Sequence, residues 1–348
     1  MRKLLSLGYL IAVVLLAALA ASPIYGQTGR DGQGLETAIT AQEDHTDFLL
    51  SISGVVGTAV GYNADGALAV LIFTEAAGIP GLPRSLDGVP VQVQVTGKLF
   101  ALKHECGHKG PPCGGGDDPE PDPGLTPTDR WPRPVPIGVS TGHPDITAGT
   151  IGARVTDGTN VFALSNNHVY ADENYASIGD NVLQPGPYDG GIDPDDAIGT
   201  LDDYEPIDFT GADNTIDAAI AISSKELLWN ATPSNGYGLP KSVITSAAIW
   251  QSVQKYGRTS ELTKGTITGI NATVNVGYGS GVARFVNQII VEGIKPFIKG
   301  GDSGSLLVTD PGRKPVGLLF AGNRSGKFAV ANRIDLVLTQ FGVTVDGE

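Results

Sequence analysis

Cysteine, methionine and positive charge are scarce in this sequence. Its 348 residues include two Cys and one Met, and 23 Lys and Arg stand against 37 Asp and Glu, which gives a net charge of −14. Two cysteines exclude a disulfide scaffold and a four-cysteine zinc module. The negative charge repels phosphate backbones, so we expect no nucleic-acid partner.

Charged residues of both signs are also few, whereas glycine is abundant. Only 17% of the residues are charged, against roughly 25% in an average soluble domain. Hydrophobic residues make up 41%, which argues against a chain that is disordered throughout. The 48 glycines disfavour a helical bundle and favour many short strands joined by tight turns.

One long apolar run lies at the N-terminus, where Arg2 and Lys3 precede residues 4–21. A basic start, an apolar middle and small residues after it predict a signal peptide over residues 1–26, cleaved after Ala20 or Gly26. An uncleaved membrane anchor is the alternative, because the run is of borderline length for a bilayer span. We expect a secreted or periplasmic protein that has no membrane contact once the signal is removed.

The pattern then divides the chain into a small N-terminal module, a linker and a larger domain. The module, residues 27–106, is predicted to be α+β, with a helix near residues 35–50 and strands at 55–62, 67–74 and 89–96. Residues 107–136 are rich in Pro, Gly and Asp, which predicts an extended, mobile linker. The sequence does not indicate a role for the linker or for the module.

Residues 137–348 show short β segments separated by turn signals, with a helix only at residues 333–341. Regularly spaced short strands without alternating helices predict a mainly β fold, either a sandwich or a pair of barrels. The predicted strands are residues 150–155, 161–166, 216–222, 253–256, 266–276, 282–291, 305–309, 316–320 and 328–331.

Three separated residues in this domain have the chemistry of a nucleophile and its base. Ser303 lies in Gly301-Asp302-Ser303-Gly304, a tight turn that leaves a hydroxyl exposed, with the amides of Gly301 and Ser303 available to an oxyanion. His168 follows a predicted strand and is a suitable base at neutral pH. Asp217 heads an apolar strand, where a carboxylate is costly unless it is paired. Pairing with a histidine ring would satisfy it.

These segments resemble the three signature segments of trypsin-like serine proteases of the chymotrypsin fold, which have the same order of His, Asp and Ser. The resemblance covers most of residues 137–348 and implies two antiparallel β-barrels, a catalytic triad of His168, Asp217 and Ser303, and an oxyanion hole at Gly301 and Ser303. It also implies a protein or peptide substrate. Residues 57–61, 87–91 and 164–171 resemble bacterial trypsin-like proteins that carry a small N-terminal module, to which the plant regulator Narrow Leaf 1 is distantly related.

The sequence departs from the trypsin-like pattern at several positions. No cysteine follows His168, and Phe320 stands where a serine is often found in the substrate-binding strand. Trypsins satisfy the aspartate before the nucleophile, here Asp302, with a newly cut N-terminus. Residues 137–139 only vaguely resemble such a terminus, and Pro136 before them argues against ordinary tryptic processing.

The resemblance also gives a substrate-binding region. It consists of Phe297, Ile298, Phe320, Ala321 and Gly322. Phe297 stands where trypsins keep an acidic residue, so we expect an apolar or small side chain before the cleaved bond rather than Lys or Arg.

Two further clusters suggest metals or a disulfide. His104, Glu105 and His108 match the zinc pattern H-E-x-x-H, although Gly107 and the following prolines disfavour the helix that it needs. Cys106 and Cys113 are close enough for a small-loop disulfide in an exported protein. Asp193, Asp195 and Asp196 are calcium candidates in an acidic run that we expect to be a solvated loop. We therefore expect no cofactor, with calcium as the alternative.

The sequence therefore predicts an exported serine endopeptidase, and two other functions are kept. The first is a catalytically silent trypsin-fold protein that binds a protein partner, although such a protein has no need of all three triad residues. The second is a zinc hydrolase centred on His104, Glu105 and His108. Substrate identity and oligomeric state are not predicted.

Overall fold

The computed structural model describes residues 27–102 and 124–348. The predicted mainly β class is confirmed, and the chain ends in a helix and a short strand. The signal peptide predicted over residues 1–26 lies outside the described residues. Among the helices that are described, none combines the length and the apolar character needed to cross a bilayer.

The N-terminal module contains the predicted helix and strands. The helix is longer than predicted, because it begins at Gln27, and its apolar residues Ala38, Ala41 and Leu49 are buried in one cluster with Val60 and Ile72 of the strands. The elements are α1 (Gln27–Ser51), β1 (Val55–Tyr62), β2 (Leu68–Thr74), β3 (Ser85–Leu86), β4 (Val89–Val95) and β5 (Leu99–Ala101).

Part of the segment predicted as a mobile linker is packed against the larger domain. Val135 is 1% exposed, its amide donates to the Leu227 carbonyl at 2.9 Å, and its carbonyl accepts from the Trp229 amide at 2.8 Å. Proline removes donors at neighbouring positions but leaves these two groups free to pair. Val135 is therefore anchored to the larger domain, whereas most of residues 124–134 are exposed, and residues 103–123 lie outside the described part of the chain.

The first half of the larger domain is a six-stranded antiparallel sheet with a small two-stranded sheet beside it. The six strands are ordered β10-β11-β13-β9-β8-β20, where β20 (Thr344–Val345) comes from the C-terminus, and together they make up the first barrel. The elements of this half are β6 (Ser140–Thr141), β7 (Gly149–Thr150), β8 (Ala153–Thr156), β9 (Val161–Ser165), α2 (Asn167–Tyr170), β10 (Asn181–Leu183), β11 (Ala197–Tyr204), β12 (Asp213–Asn214) and β13 (Ala219–Ser223).

The second half contains a ring of six strands. β14, β15, β16, β19, β18 and β17 are paired in succession, and β17 pairs again with β14. The ring closes the sheet into a barrel, which removes most of its free edges. The elements are β14 (Ser252–Gly257), β15 (Glu261–Gly277), β16 (Val282–Glu292), β17 (Leu306–Thr309), β18 (Pro315–Asn323), β19 (Phe328–Arg333), α3 (Ile334–Phe341) and β20 (Thr344–Val345).

The N-terminal module joins this second barrel through backbone hydrogen bonds. β1 pairs antiparallel with the 17-residue strand β15, with Gly57 opposite Val274 and Thr58 opposite Thr273. β5 pairs with both β15 and β18. The module and the barrel thus share one twelve-stranded sheet, and the boundaries assigned to the module from the sequence stay a prediction.

Two predictions about individual strands need correction. Residues 197–204, inside the acidic run predicted as a loop, form the strand β11, because Ile198 and Leu201 are buried while Asp202 and Asp203 face outward. The strand predicted at residues 216–222 begins at Ala219, so Asp217 precedes the strand rather than lying within it.

Candidate active site

His168 and Asp217 form a buried pair at one end of the first barrel. His168 lies on the short helix α2, directly after β9, and Nδ1 of its ring is 2.5 Å from Oδ2 of Asp217. The side chains are 1% and 0% exposed. Water therefore competes little for this hydrogen bond, and the carboxylate fixes the orientation of the imidazole ring.

Asp217 is itself held on both sides by asparagines. Its backbone carbonyl accepts hydrogen bonds from the amide groups of Asn166 at 2.7 Å and Asn332 at 2.9 Å, and its backbone N–H donates to Oδ1 of Asn332 at 3.1 Å. Asn166 belongs to the first barrel and Asn332 to β19 of the second. The aspartate is thus positioned by both barrels at once.

Ser303 lies in the predicted tight turn, between β16 and β17. Gly301 and Gly304 have φ values of +93° and +90°, a region that side chains with a Cβ disfavour. A Cβ on Gly304 would lie 2.2 Å from Oγ of Ser165. Only glycine fits there, and the turn presents Ser303 toward the first barrel.

Thr150 of β7 connects the histidine and serine segments. Its amide donates to the Ser303 carbonyl at 2.8 Å, and its carbonyl accepts from Oγ of Ser165, three residues before His168, at 2.8 Å. The three predicted segments therefore lie together where the two barrels meet, a region called the cleft below.

The hydrogen bond between the serine and the histidine is not formed in this conformation. Oγ of Ser303 lies 3.3 Å from the carbonyl oxygen of Phe320, to which it donates. Nε2 of His168 is buried and has no hydrogen-bond partner among the described residues. Catalytic hydrogen bonds often shorten only when substrate is bound. In this conformation Nε2 is therefore the ring nitrogen that can still form a hydrogen bond.

Asp302, next to the serine, is satisfied by an internal lysine. Nζ of Lys255 lies 3.1 Å from Oδ2 of Asp302, and both side chains are 0% exposed. Backbone amides of Thr259, Ser260 and Lys299 also donate to this carboxylate at 2.8, 3.0 and 2.8 Å. Burial alone would raise the pKa of Asp302, but the Lys255 ammonium group and these donors outweigh it and hold the pKa below its usual value.

Ile137 does not contribute to this arrangement. The amide of Ile137, the residue that vaguely resembles a trypsin N-terminus, donates to the Ala231 carbonyl at 3.1 Å, and the Ile137 side chain is fully buried. The charge that stabilises Asp302 therefore comes from β14 of the same barrel.

Tyr278 completes the surroundings of the aspartate. Its hydroxyl donates to Oδ2 of Asp217 at 2.8 Å, and its ring packs edge-on against the His168 ring, with centroids 5.8 Å apart. Burial and the adjacent Asp217 carboxylate raise the pKa of Tyr278 well above its usual value, so the hydroxyl keeps its proton and acts as a donor.

The predicted oxyanion and substrate positions are occupied by the chain itself. The Gly301 amide donates to the carbonyl of Leu102 at 2.8 Å, and the Leu102 amide donates to the Phe320 carbonyl at 3.3 Å. Ala321 and Gly322 pair with Ala101 and Phe100 of β5. Phe297 and Ile298 are fully buried in the same apolar cluster as Leu102.

The acidic run is partly neutralised by arginines that lie far away in the sequence. Both oxygens of Asp196 accept from the Arg130 guanidinium group at 2.6 Å, and Oδ2 of Asp189 accepts from Arg258 at 2.7 Å. Asp193 accepts from the side chain of Asn181 at 2.5 Å. In the described ranges no three acidic, His or Cys side chains are close enough together to hold a metal.

The remaining candidates cannot be placed. His104, Glu105, Cys106, His108 and Cys113 fall within residues 103–123, outside the described residues. The zinc and disulfide assignments stay predictions.

Sequence reasoning missed Lys255, Tyr278 and Asn332. Each contacts the site from a strand or turn at least 47 residues away from its partner in the chain, since Lys255 and Asp302 are the nearest pair in sequence. The only local signal was Lys255 itself, a charged residue between Val253 and Tyr256, which are buried.

Comparison with known proteins gives structural similarities only. No protein-family profile matches the chain, and no curated protein matches it either. A glutamic acid specific serine protease is 22% identical, covers 61% of this chain and 100% of its own, and has a TM-score of 0.46. Protease A of Thermobifida fusca is 21% identical over 61% of this chain and 98% of its own, with a TM-score of 0.45. Nocardiopsis protease is 19% identical over 60% of this chain and 97% of its own, with a TM-score of 0.44. The match to proteins with a small N-terminal module and to Narrow Leaf 1 stays a prediction.

Proposed function

We propose that the chain is an exported serine endopeptidase that hydrolyses peptide bonds through an acyl-enzyme intermediate. Ser303 is the nucleophile, His168 the general base and then the general acid, and Asp217 the residue that orients His168. The observation that carries this proposal is the buried 2.5 Å hydrogen bond between Nδ1 of His168 and Oδ2 of Asp217, in a cleft that also contains the Ser303 turn.

This hydrogen bond decides which ring nitrogen accepts a proton. With Nδ1–H donating to the carboxylate, Nε2 holds the lone pair and can take the proton of the Ser303 hydroxyl. Attack by Ser303 on a carbonyl carbon then gives a tetrahedral intermediate, and the protonated Nε2 returns the proton to the leaving amine. Water repeats the two steps on the acyl-enzyme and restores the serine.

The glycine turn supplies the electrostatic part of the reaction. The amides of Gly301 and Ser303 flank the position of the developing oxyanion, and each such donor is worth about 3 kcal/mol. The buried ion pair between Lys255 and Asp302 attaches this turn to β14. Fixed dipoles of this kind need no rearrangement during the reaction.

A serine-directed probe tests the proposal. The purified full chain, Ser303→Ala and Ser246→Ala are treated with a fluorophosphonate over an extended time course, because β5 occupies the cleft, and casein hydrolysis is followed in parallel. We expect the wild type and Ser246→Ala, which changes an exposed serine, to be labelled and active. Ser303→Ala should be neither.

The same experiment separates the other two functions. Folded wild-type protein that neither takes the label nor cleaves casein would contradict the proposal and favour a binding protein. Activity that survives Ser303→Ala but disappears with a chelator would favour a zinc hydrolase at His104 and His108. Export is tested by expression with residues 1–26 present and by determination of the mature N-terminus.

A further inference from the structure

β18 leaves half of one edge unpaired by the barrel, and β5 fills that half. β17 pairs with β18 through Pro315, Gly317 and Leu318 only. Beyond them, residues 321–323 of β18 pair antiparallel with β5, with Ala321 opposite Ala101 and Gly322 opposite Phe100. Addition of an extended strand to a free sheet edge is a common way of binding peptides.

The residue after β5 extends this pairing into the catalytic turn. The Leu102 amide donates to the carbonyl of Phe320 at 3.3 Å, and the Ser303 hydroxyl donates to the same oxygen at 3.3 Å. The Leu102 carbonyl accepts the Gly301 amide at 2.8 Å. The Leu102 carbonyl oxygen thus accepts from a predicted oxyanion donor, while the Leu102 amide shares its acceptor with the Ser303 hydroxyl.

The side chain of Leu102 is also accommodated. It is 8% exposed and belongs to the apolar cluster that contains Phe297 and Ile298. Burial of a leucine side chain in such apolar surroundings is favourable. Backbone pairing, the hydrogen bond of the carbonyl group and side-chain burial therefore all indicate that Leu102 is bound as a substrate residue would be.

We infer that the peptide bond between Leu102 and Lys103 is the first substrate of this enzyme, cleaved within its own chain. The inference rests on the proposed function. Ser303 Oγ forms a bond to the Leu102 carbonyl carbon, the bond from that carbon to the Lys103 nitrogen breaks, and His168 transfers the serine proton to the leaving amine. Hydrolysis by one water then leaves a Leu102 carboxylate and regenerates Ser303.

The cut module stays attached after this reaction. β1 remains paired with β15, Oε1 of Gln42 accepts from Asn271 at 2.9 Å, and Asp47 forms an ion pair with Arg284 at 2.7 Å. The new Leu102 carboxylate then remains in the cleft as a bound product. The module then slows labelling and casein hydrolysis, without abolishing them, because it dissociates and rebinds.

Intact mass measurement of the purified full chain tests the inference. We expect the wild type to appear under denaturing conditions as two fragments, one ending at Leu102 and one beginning at Lys103, which elute together under native conditions. Ser303→Ala should remain one chain. Because the reaction is intramolecular, its first-order rate should not change when the protein is diluted.

Variants of the cut position sharpen the test. Leu102→Asp should slow cleavage by about 100-fold, because a charge enters an apolar pocket. Leu102→Met should be cut, and Val95→Asp, which changes a half-exposed residue of the same module, should be cut at the wild-type rate. If Leu102→Asp does not fold, the wild type and Ser303→Ala still decide the question.

The outcomes distinguish this inference from the proposed function. Wild-type protein that takes the fluorophosphonate and hydrolyses casein, yet stays uncut after Leu102, would overturn the inference alone. Cleavage only at another bond would do the same. A folded protein with no label, no casein hydrolysis and no self-cleavage would overturn both.

A second inference comes from Tyr278, at the turn between β15 and β16. Its hydroxyl donates to Oδ2 of Asp217, the same oxygen that accepts from His168. Glu173 holds the turn, since it accepts from the amides of Gly279 at 3.2 Å and Ser280 at 2.7 Å. We propose that Tyr278 is a positioning residue, which fixes Asp217 and, through ring packing, the plane of His168.

Tyr278→Phe tests this role, because it removes the hydroxyl and keeps the ring. With a peptide substrate we expect kcat to fall about 10-fold, as for loss of a hydrogen bond to a charged group, while KM is unchanged. Tyr175→Phe, at an exposed tyrosine, should change neither constant. An unchanged kcat, or a loss that appears only in KM, would overturn the assignment, and thermal unfolding measured alongside identifies a purely structural loss.

Discussion

The ammonium group of Lys255 and the carboxylate of Asp302 lie 3.1 Å apart inside the second barrel, and neither side chain is exposed. Asp302 immediately precedes the proposed nucleophile. A charge on β14 therefore determines the conformation of the turn that supplies Ser303 and the Gly301 amide.

Removal of this lysine should be severe. Lys255→Met keeps most of the volume but leaves a buried carboxylate unpaired, and we expect a loss of about 3–5 kcal/mol in the free energy of unfolding. Lys264→Met removes a largely exposed lysine paired with Asp310, which should change stability by less than about 1 kcal/mol. Urea unfolding measures both, and similar small losses would show that Asp302 does not depend on Lys255.

The same pair predicts an acid-labile contribution to stability. The pKa of Asp302 in the folded chain lies below its ordinary value of 3.8, so ionised Asp302 stabilises the fold above about pH 4 and this stabilisation is lost as the pH falls through the lower folded value. Below pH 4 the free energy of unfolding of the wild type should therefore fall relative to that of the double variant Lys255→Met/Asp302→Asn. The double variant lacks both charged groups of this pair. Parallel curves for the two proteins, measured by urea unfolding from pH 2 to 7, would contradict the prediction, and Asp65→Asn, in an exposed turn, is the matched control.

Substitution of Asp217, the aspartate of the proposed triad, tests the orientation of the histidine. Asp217→Asn should lower kcat about 10,000-fold, because the amide favours the wrong tautomer of His168. Asp203→Asn changes an exposed residue of β11 and should leave kcat unchanged. If Asp217→Asn retained kcat within a few fold of the wild type, the base would have to be sought elsewhere.

The apolar pocket predicts a preference for leucine before the cleaved bond. Phe297 and Ile298 are buried together with Leu102, so a p-nitroanilide with the sequence Phe-Ala-Leu should be hydrolysed with a kcat/KM about 100-fold higher than its Phe-Ala-Lys counterpart. The two substrates differ only in the residue next to the reporter group. Equal values, or a preference for lysine, would contradict the assignment of this pocket.

Sequence patterns predicted the elements whose signals are local. The Gly-Asp-Ser-Gly turn requires glycine because of positive φ at Gly301 and Gly304, and the short β segments and the C-terminal helix follow from hydrophobic periodicity. His168 and Asp217 could be paired because a buried carboxylate needs a partner.

The contacts missed by sequence analysis depend on barrel closure. Lys255 is an ordinary polar position within β14 until the chain folds and encloses it with Asp302, and Tyr278 reaches Asp217 across 61 residues. β5 contains only three residues, too few for a periodic signal, and it is recognisable only from its pairing with β15 and β18.

The half-edge of β18 that β5 occupies has a consequence for which proteins the proposed protease can cut. Pairing there requires a fully extended backbone with unused N–H and C=O groups over about four residues, residues that a helix or an interior strand has already paired. Susceptibility is then determined first by the conformation of the target and only afterwards by its side chains. Loops, chain ends and locally unfolded segments would be cut, and folded domains with the same sequence would be spared.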